Sequence, residues 1–363
     1  MQGPFARFGL DGEPGSTEFW DAARKLPMPA SIPAAGGGWT TLFLWRGSAA
    51  TLWFESWSEP VDLKRWLESD CWYAELSMPS RLRVTYQCQS GGRYADPLNP
   101  VGAGIDRSIA ATPDAEAQPH WPVVGPDDVP PIPRTRIRWT SAHLDGRRTV
   151  LVHQADGPGP HPVILLLDGD DWLHLHPAVT AFESAVASGE MPPSTLVFLP
   201  TRAREAELAC HPALWEGIRD ELLPLLTENG VSIDRETMVV AGQSFGGLSA
   251  LYAALEYPDL ISRVACQSGS FWWMANRRND SLDGPLGGEI AARLRNRPNL
   301  SRLRIAFDVG EHETAMLPHC ELVEALTTRA GATVRVSRST SGHDRAGWRH
   351  ALVRDVAWAL AGR

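Results

Sequence analysis

Six consecutive residues, Gly242-Gln-Ser-Phe-Gly-Gly247, spell a G-x-S-x-G motif directly after the apolar run Met238-Val-Val-Ala-Gly242 and directly before a helix-period segment. In that setting small residues on either side of the serine let the chain turn sharply, so the Ser244 hydroxyl stands exposed above a sheet. The helix N-terminus behind it favours developing negative charge. A serine held this way does acyl transfer: attack on a carbonyl, a covalent acyl-enzyme, and release by water. A plain Gly-rich turn would carry the same letters, but the Val-rich strand before it and the helical run after it favour the nucleophile.

A serine hydroxyl needs a base, and on this kind of elbow the chain order is nucleophile, acid, histidine. His343 lies in Ser341-Gly-His-Asp-Arg-Ala-Gly-Trp348, after the run Thr333-Val-Arg-Val and before the expected last helix, Trp348 to Leu360. His312, in the preceding turn, and His319 and His350, within expected helices, read better as surface or helix-end histidines. For the acid, Asp308, Glu311 and Glu313 all follow the run Leu303 to Phe307. Glu313 is favoured, Glu311 is the alternative, and a Ser-His pair with a weak third member stays open. The oxyanion calls for backbone N–H donors from the residue after the nucleophile and from the loop after an earlier strand. Those are Phe245 and either Gly169 or Asp170, in Leu167-Asp-Gly-Asp-Asp-Trp172; an ordinary acidic turn would look the same.

These groups have to be positioned by elements of two textures. Trp39–Trp45, Thr51–Phe54, Trp72–Leu76 and Arg81–Cys88 are short runs rich in β-branched and aromatic residues, separated by Gly, Ser, Pro and Asp, and predict a small antiparallel sandwich. A tract rich in Pro and Asp interrupts the pattern and ends in Pro126-Asp-Asp-Val-Pro-Pro-Ile-Pro133. Beyond it, the apolar runs at 163–168, 195–200, 238–242 and 303–308 alternate with helix-period segments such as Pro212–Glu228 and Leu248–Glu256. Strand, helix, strand, helix predicts a mostly parallel sheet with helices on both faces. The expected organisation is a sandwich over residues 1–125 that covers the substrate and offers a surface for self-association, a linker over 126–135, and an α/β-hydrolase domain over 136–363.

Composition sets bounds. With 43% hydrophobic and 21% charged residues the chain can bury a real core, and a net charge of −9 argues against a nucleic-acid partner. Five scattered Cys without CxxC spacing suggest neither a disulfide framework nor a metal site, and no apolar stretch has the length of a membrane span. The expectation is a cytoplasmic protein that needs no cofactor.

The chain resembles the enterochelin (enterobactin) esterases, the cytoplasmic enzymes that open the trilactone of catecholate siderophores. The similar segments include Thr41-Leu-Phe-Leu-Trp-Arg-Gly47, Ala95-Asp-Pro-Leu-Asn-Pro100 and Ala117-Gln-Pro-His-Trp121 in the first half. In the second half they include Leu166-Leu-Asp-Gly169, Arg204-Glu-Ala-Glu-Leu208, Gly242–Gly247, Ser268-Gly-Ser-Phe-Trp-Trp273, Gly310-Glu-His-Glu313 and Gly342-His-Asp344. The resemblance implies Ser244 as nucleophile and His343 as base, and it raises Glu313 over Glu311. It also implies that Arg204 grips an anionic substrate while Glu207 holds Arg204 or a neighbouring loop, against the plainer reading of an Arg204–Glu207 ion pair. Trp272 and Trp273 would offer faces to catechol rings, or serve as core. The chain departs from the family at Ala209-Cys-His211 and at Arg345-Ala-Gly347. These flank the pocket and bear on which siderophore is cut. The implied substrate is a catecholate siderophore, with or without iron; the alternative is another ester or thioester hydrolase or acyltransferase of the same fold.

Overall fold

The computed structural model describes residues 4–104, 106–123, 131–157, 159–275, 277, 282, 284–297 and 299–361. Residues 126–130 of the expected linker lie outside them. The chain divides into two compact units: Met1–Pro130 with Thr340–Gly347, and Pro131–Ser339 with Trp348–Arg363. The segment 340–347, which carries His343, folds with the first unit, an assignment that chain order alone does not suggest.

In the first unit the strands are β1 (Ala30–Pro33), β2 (Trp39–Arg46), β3 (Thr51–Phe54), β4 (Val61–Asp62), β5 (Lys64–Arg65), β6 (Cys71–Met78), β7 (Arg83–Gln89), β8 (Arg93–Tyr94) and β9 (Ser108–Ala111). They form one sheet in the order β1-β2-β6-β5 and another in the order β4-β3-β7-β8, with β9 on β7. Alternation builds the sandwich. Phe43, Ala74 and Met78 of the first sheet pack with Leu52, Phe54, Val84, Tyr86 and Cys88 of the second. The opposite face of β2, Leu42 and Leu44, is covered by Phe19 and Trp20 of helix α1 (Thr17–Ala23), whose start is capped by the Ser16 hydroxyl accepting from Phe19 N. The first sheet is therefore buried on both sides.

The second unit carries β10 (Thr135–Thr140), β11 (Arg147–His153), β12 (Val163–Leu166), β13 (Thr195–Phe198), β14 (Val239–Gln243), β15 (Arg263–Gln267), β16 (Arg304–Gly310) and β17 (Thr333–Ser339), in the sheet order β10-β11-β13-β12-β14-β15-β16-β17. The pairs β10–β11 and β11–β13 are antiparallel and those from β13 onward are parallel. Every residue of β12, β13, β14 and β15 is buried, as strands covered on both faces require. The helices are α2 (Gly169–His174), α3 (Ala178–Ala187), α4 (Arg204–Leu208), α5 (Pro212–Gly217), α6 (Leu223–Glu228), α7 (Phe245–Glu256), α8 (Gly288–Arg295), α9 (Leu317–Arg329) and α10 (Arg345–Leu360). This is the expected α/β-hydrolase architecture, and the all-β sandwich precedes it in the chain.

The single helix expected over 212–228 is instead α5 and α6 joined by a π-helical turn, Ile218–Leu222. Pro224 has no N–H for the carbonyl four residues back, and its ring crowds that carbonyl, so the helix widens by one residue there. Among the described residues no helix is long and apolar enough to cross a membrane.

Candidate active site

Ser244 stands between the C-terminal end of β14 and the first turn of α7, with φ 56° and ψ −119°. Such a backbone is strained for any residue with a Cβ and is kept only when its surroundings over-determine it. Here they do. Ser244 N donates to Gln267 O at 3.0 Å, and Ser244 O accepts from Leu248 N and Ser270 N, each at 3.0 Å. The glycines explain why the turn can close: a Cβ on Gly242 would lie 2.3 Å from the backbone carbon and oxygen of Gly246. The Ser244 hydroxyl is 3.1 Å from that of Ser270.

The loop after β12 faces the same elbow. Asp168, not Gly169, takes the left-handed conformation, with φ 50°. Gly169 is needed for another reason: a Cβ there would sit 2.6 Å from Leu199 N, because the loop passes close over the end of β13. The Gly169 N–H donates to Leu199 O at 2.8 Å, so Gly169 is corrected as an oxyanion donor. Asp170 and Phe245 occupy first-turn positions of α2 and α7, where backbone N–H groups have no intrahelical acceptor.

Arg204 ties the two halves together. Its Nε and Nη2 reach Asp168 Oδ2 at 3.0 and 2.7 Å, and Nη2 also donates to Gln243 O at 3.1 Å. Its guanidinium lies 5.6 Å from the centre of the Phe245 ring, and its side chain remains 39% exposed. Glu207 is buried, and its ion pair is with Arg148, at 2.9 Å, rather than with Arg204, which corrects the reading in which it holds Arg204 and its place as a substrate-binding residue. It also accepts from Ala203 N at 3.0 Å, which fits the loop-holding role implied for it.

Of the three acids, Asp308 is engaged by Ser337 and Ser339 hydroxyls at 2.8 and 2.9 Å and by Arg354 at 3.2 Å. Glu311 is exposed. Glu313 is buried, and its Oε1 accepts from Gly310 N at 2.9 Å and from the Ser268 hydroxyl at 2.5 Å. Ser268 in turn accepts from Trp348 Nε1 at 2.8 Å. His343 is half-buried, in the segment that folds with the first unit. His319 is held on both ring nitrogens, by Gly287 N and Leu282 O, each at 3.2 Å, as a structural histidine is.

Trp272 and Trp273 are half-buried. The Trp272 ring meets Phe245 edge-on at 5.8 Å, extending the surface on which Arg204 lies. Trp273 packs against the core and donates to Glu205 Oε1 at 3.2 Å, so its polar edge serves the protein itself. Among the described residues no cluster of three or more His, Cys, Asp or Glu could hold a metal ion.

Residues 141–359 match the family described as "Putative esterase". The chain belongs to this esterase family. It is 33% identical over 289 residues to an iron(III) enterobactin esterase of Dickeya dadantii (strain 3937), covering 74% of this chain and 65% of that protein. It is 25% identical over 384 residues to an iron(III) salmochelin esterase of Escherichia coli O6:H1, covering 93% and 92%. A crystal structure of the enterobactin esterase from Shigella flexneri in the presence of enterobactin superposes with a TM-score of 0.81 at 25% identity, over 95% of this chain and 98% of that one. The 33%-identical match spans less than two thirds of its relative's length. The resemblance read from the sequence is thereby borne out.

Several residues of the candidate site were not read from the sequence. Ser270 and Ser268 sit in a segment singled out only as similar to the family, yet one touches Ser244, the expected nucleophile, and the other Glu313, the favoured acid. Asp168 was passed over because left-handed backbone is usually looked for at Gly.

Proposed function

We propose that this chain is a serine esterase that opens the trilactone of catecholate siderophores, with Ser244 as nucleophile, His343 as general base and Glu313 as the acid that orients it. The Ser244 proton passes to His343 as Oγ attacks a lactone carbonyl, and the oxyanion is met by the Phe245 and Asp170 N–H groups. Collapse breaks the ester C–O bond, and the leaving seryl oxygen takes the proton from His343. A water, deprotonated by His343, then releases the acyl group from Ser244.

The observation that carries this reading is Ser244 held at φ 56° above a buried parallel strand, in a chain similar end to end to proteins named for siderophore ester hydrolysis. The Phe245, Trp272 and Arg204 surface beside it suits an aromatic, anionic acyl group. The substrate is read as the chelate with or without its iron, met in the cytoplasm.

The test is mass-resolved hydrolysis of ferric and iron-free enterobactin by wild type, Ser244→Ala and His343→Ala. Linear dihydroxybenzoylserine products from wild type alone are expected. If wild type leaves the lactone intact but cleaves p-nitrophenyl esters, the serine esterase stands and the siderophore falls.

A further inference from the structure

Four of the eight residues 340–347, Gly342, Asp344, Arg345 and Ala346, meet the sandwich. Asp344 is fully buried, and its Oδ2 accepts from Thr85 N at 2.8 Å. Its Oδ1 accepts from the Thr85 hydroxyl at 2.8 Å and from Ala346 N at 2.7 Å. Thr85 is itself buried in β7, between β3 and β9. There Glu55 N donates to Thr85 O at 3.0 Å, one half of a ladder pair, while the Thr85 N–H goes to Asp344. Asp344 thus supplies an acceptor just past the end of β3.

Its neighbours are held as well. Arg345 pairs with Glu55, and Gln118 Nε2 donates to Ala346 O at 2.7 Å. Ala346 packs with Ala103 and Ile109. Gly342 passes so close to the sandwich that a Cβ on it would lie 2.6 Å from Ser56 Cβ. Residues on both sides of His343 are therefore fixed by the first unit.

We infer that Thr85 and Asp344 are positioning residues that set the location of His343 within the first unit. The inference rests on His343 being the base of Ser244. A buried carboxylate is a costly fastener compared with an apolar side chain. It has one advantage: bonds to three donors define a direction as well as a distance, and a base misplaced by about 1 Å can lose about a hundred-fold in rate. Burial and the nearby Glu55 push the Asp344 carboxyl up, an effect that its hydrogen bonds from Thr85 and Ala346 oppose.

The test compares Thr85→Val, Thr85→Ser and Asp344→Asn in the full chain, with His343→Ala as reference. The readouts are the rate of fluorophosphonate labelling at Ser244 and the kcat and KM for a small neutral p-nitrophenyl ester. Thr85→Val keeps shape and loses the hydroxyl donor; labelling and kcat should fall by roughly ten- to a hundred-fold with KM nearly unchanged. Thr85→Ser, which restores the donor, should recover most of the rate, and Asp344→Asn should resemble Thr85→Val. The inference is overturned if Thr85→Val or Asp344→Asn, folded by circular dichroism, labels at the wild-type rate while His343→Ala does not label. It is also overturned if Thr85→Ser is as slow as Thr85→Val. If His343→Ala labels normally, the assignment of the base itself fails, and the inference falls with it.

Discussion

The two glycines of the nucleophile motif should respond to alanine in opposite ways. A Cβ on Gly242 would lie 2.3 Å from both the carbon and the oxygen of the Gly246 carbonyl and 2.9 Å from Gly247 N. Ordinary carbon–carbon contact is at about 3.5–4.0 Å, so strand and helix must part by roughly 1.2 Å, and the obstructing atoms are backbone that cannot rotate away. That displacement falls on Ser244 and on the Phe245 N–H. A shift of this size is expected to cost about a hundred-fold in kcat, or about 2.7 kcal/mol in the barrier. Overpacking should lower stability by about 1–3 kcal/mol. On Gly246, by contrast, a Cβ would meet Asp168 Oδ2 and Leu167 Cβ at 3.5 Å, which is ordinary contact. Gly246→Ala should stay within about 1 kcal/mol of wild type, helped by alanine's helix propensity. Fluorophosphonate labelling gives the rate and urea unfolding the stability of each variant. Equal labelling by Gly242→Ala and wild type, or a slower Gly246→Ala than Gly242→Ala, would refute the reasoning.

Two further outcomes follow from named contacts. Arg204→Lys keeps the charge but loses the two-nitrogen grip on Asp168 and the bond to Gln243 O, so kcat should fall about ten-fold while stability changes by less than about 1 kcal/mol, because the side chain is 39% exposed; a rise in KM alone would show instead that Arg204 acts only on substrate charge. Asp96 is buried with Tyr86 Oη and Leu98 N as donors, and burial raises its carboxyl to about 6 from 3.8. Between those values the folded state holds a proton that the unfolded state has released, so this group's contribution to stability is present at pH 4 and is lost as pH rises through 6. Asp96→Asn removes that dependence, and the stability of the variant relative to wild type should rise by about 2 kcal/mol between pH 4 and pH 6; a flat difference in urea unfolding across that range would contradict it.

Much of the fold was legible because its signals are local. The runs Trp39–Trp45 and Thr51–Phe54 became β2 and β3, and the buried runs at 163–168 and 238–242 became β12 and β14. The hairpin of β10 and β11 was not among the expected strands, although Thr135-Arg-Ile-Arg-Trp-Thr140 alternates with Ile137 and Trp139 buried. The Ser244 elbow was legible for the same reason as the strands: it is a contiguous motif. The partners of its neighbours were not. Arg204 and Asp168 are 36 residues apart, Arg148 and Glu207 are 59 apart, and Thr85 and Asp344 are 259 apart. Propensity and periodicity carry no information about which distant carboxylate a buried donor will meet.

Arg204 shows what such a pairing accomplishes. The chain carries a net charge of −9 and three aspartates, Asp168, Asp170 and Asp171, within four residues of the loop that should meet a developing oxyanion. Uncompensated, their field would oppose that charge. Arg204 binds Asp168 and at the same time the carbonyl of Gln243, the residue before Ser244. One guanidinium thereby offsets an adverse charge, holds Asp168 in its left-handed conformation and couples the β12 loop to the elbow. Its exposed remainder, lying over the Phe245 ring, still presents a cation to solvent beside Ser244. Loop holding and anion attraction are thus joint consequences of one geometry, and a lysine, lacking the planar fork, can reproduce only the second.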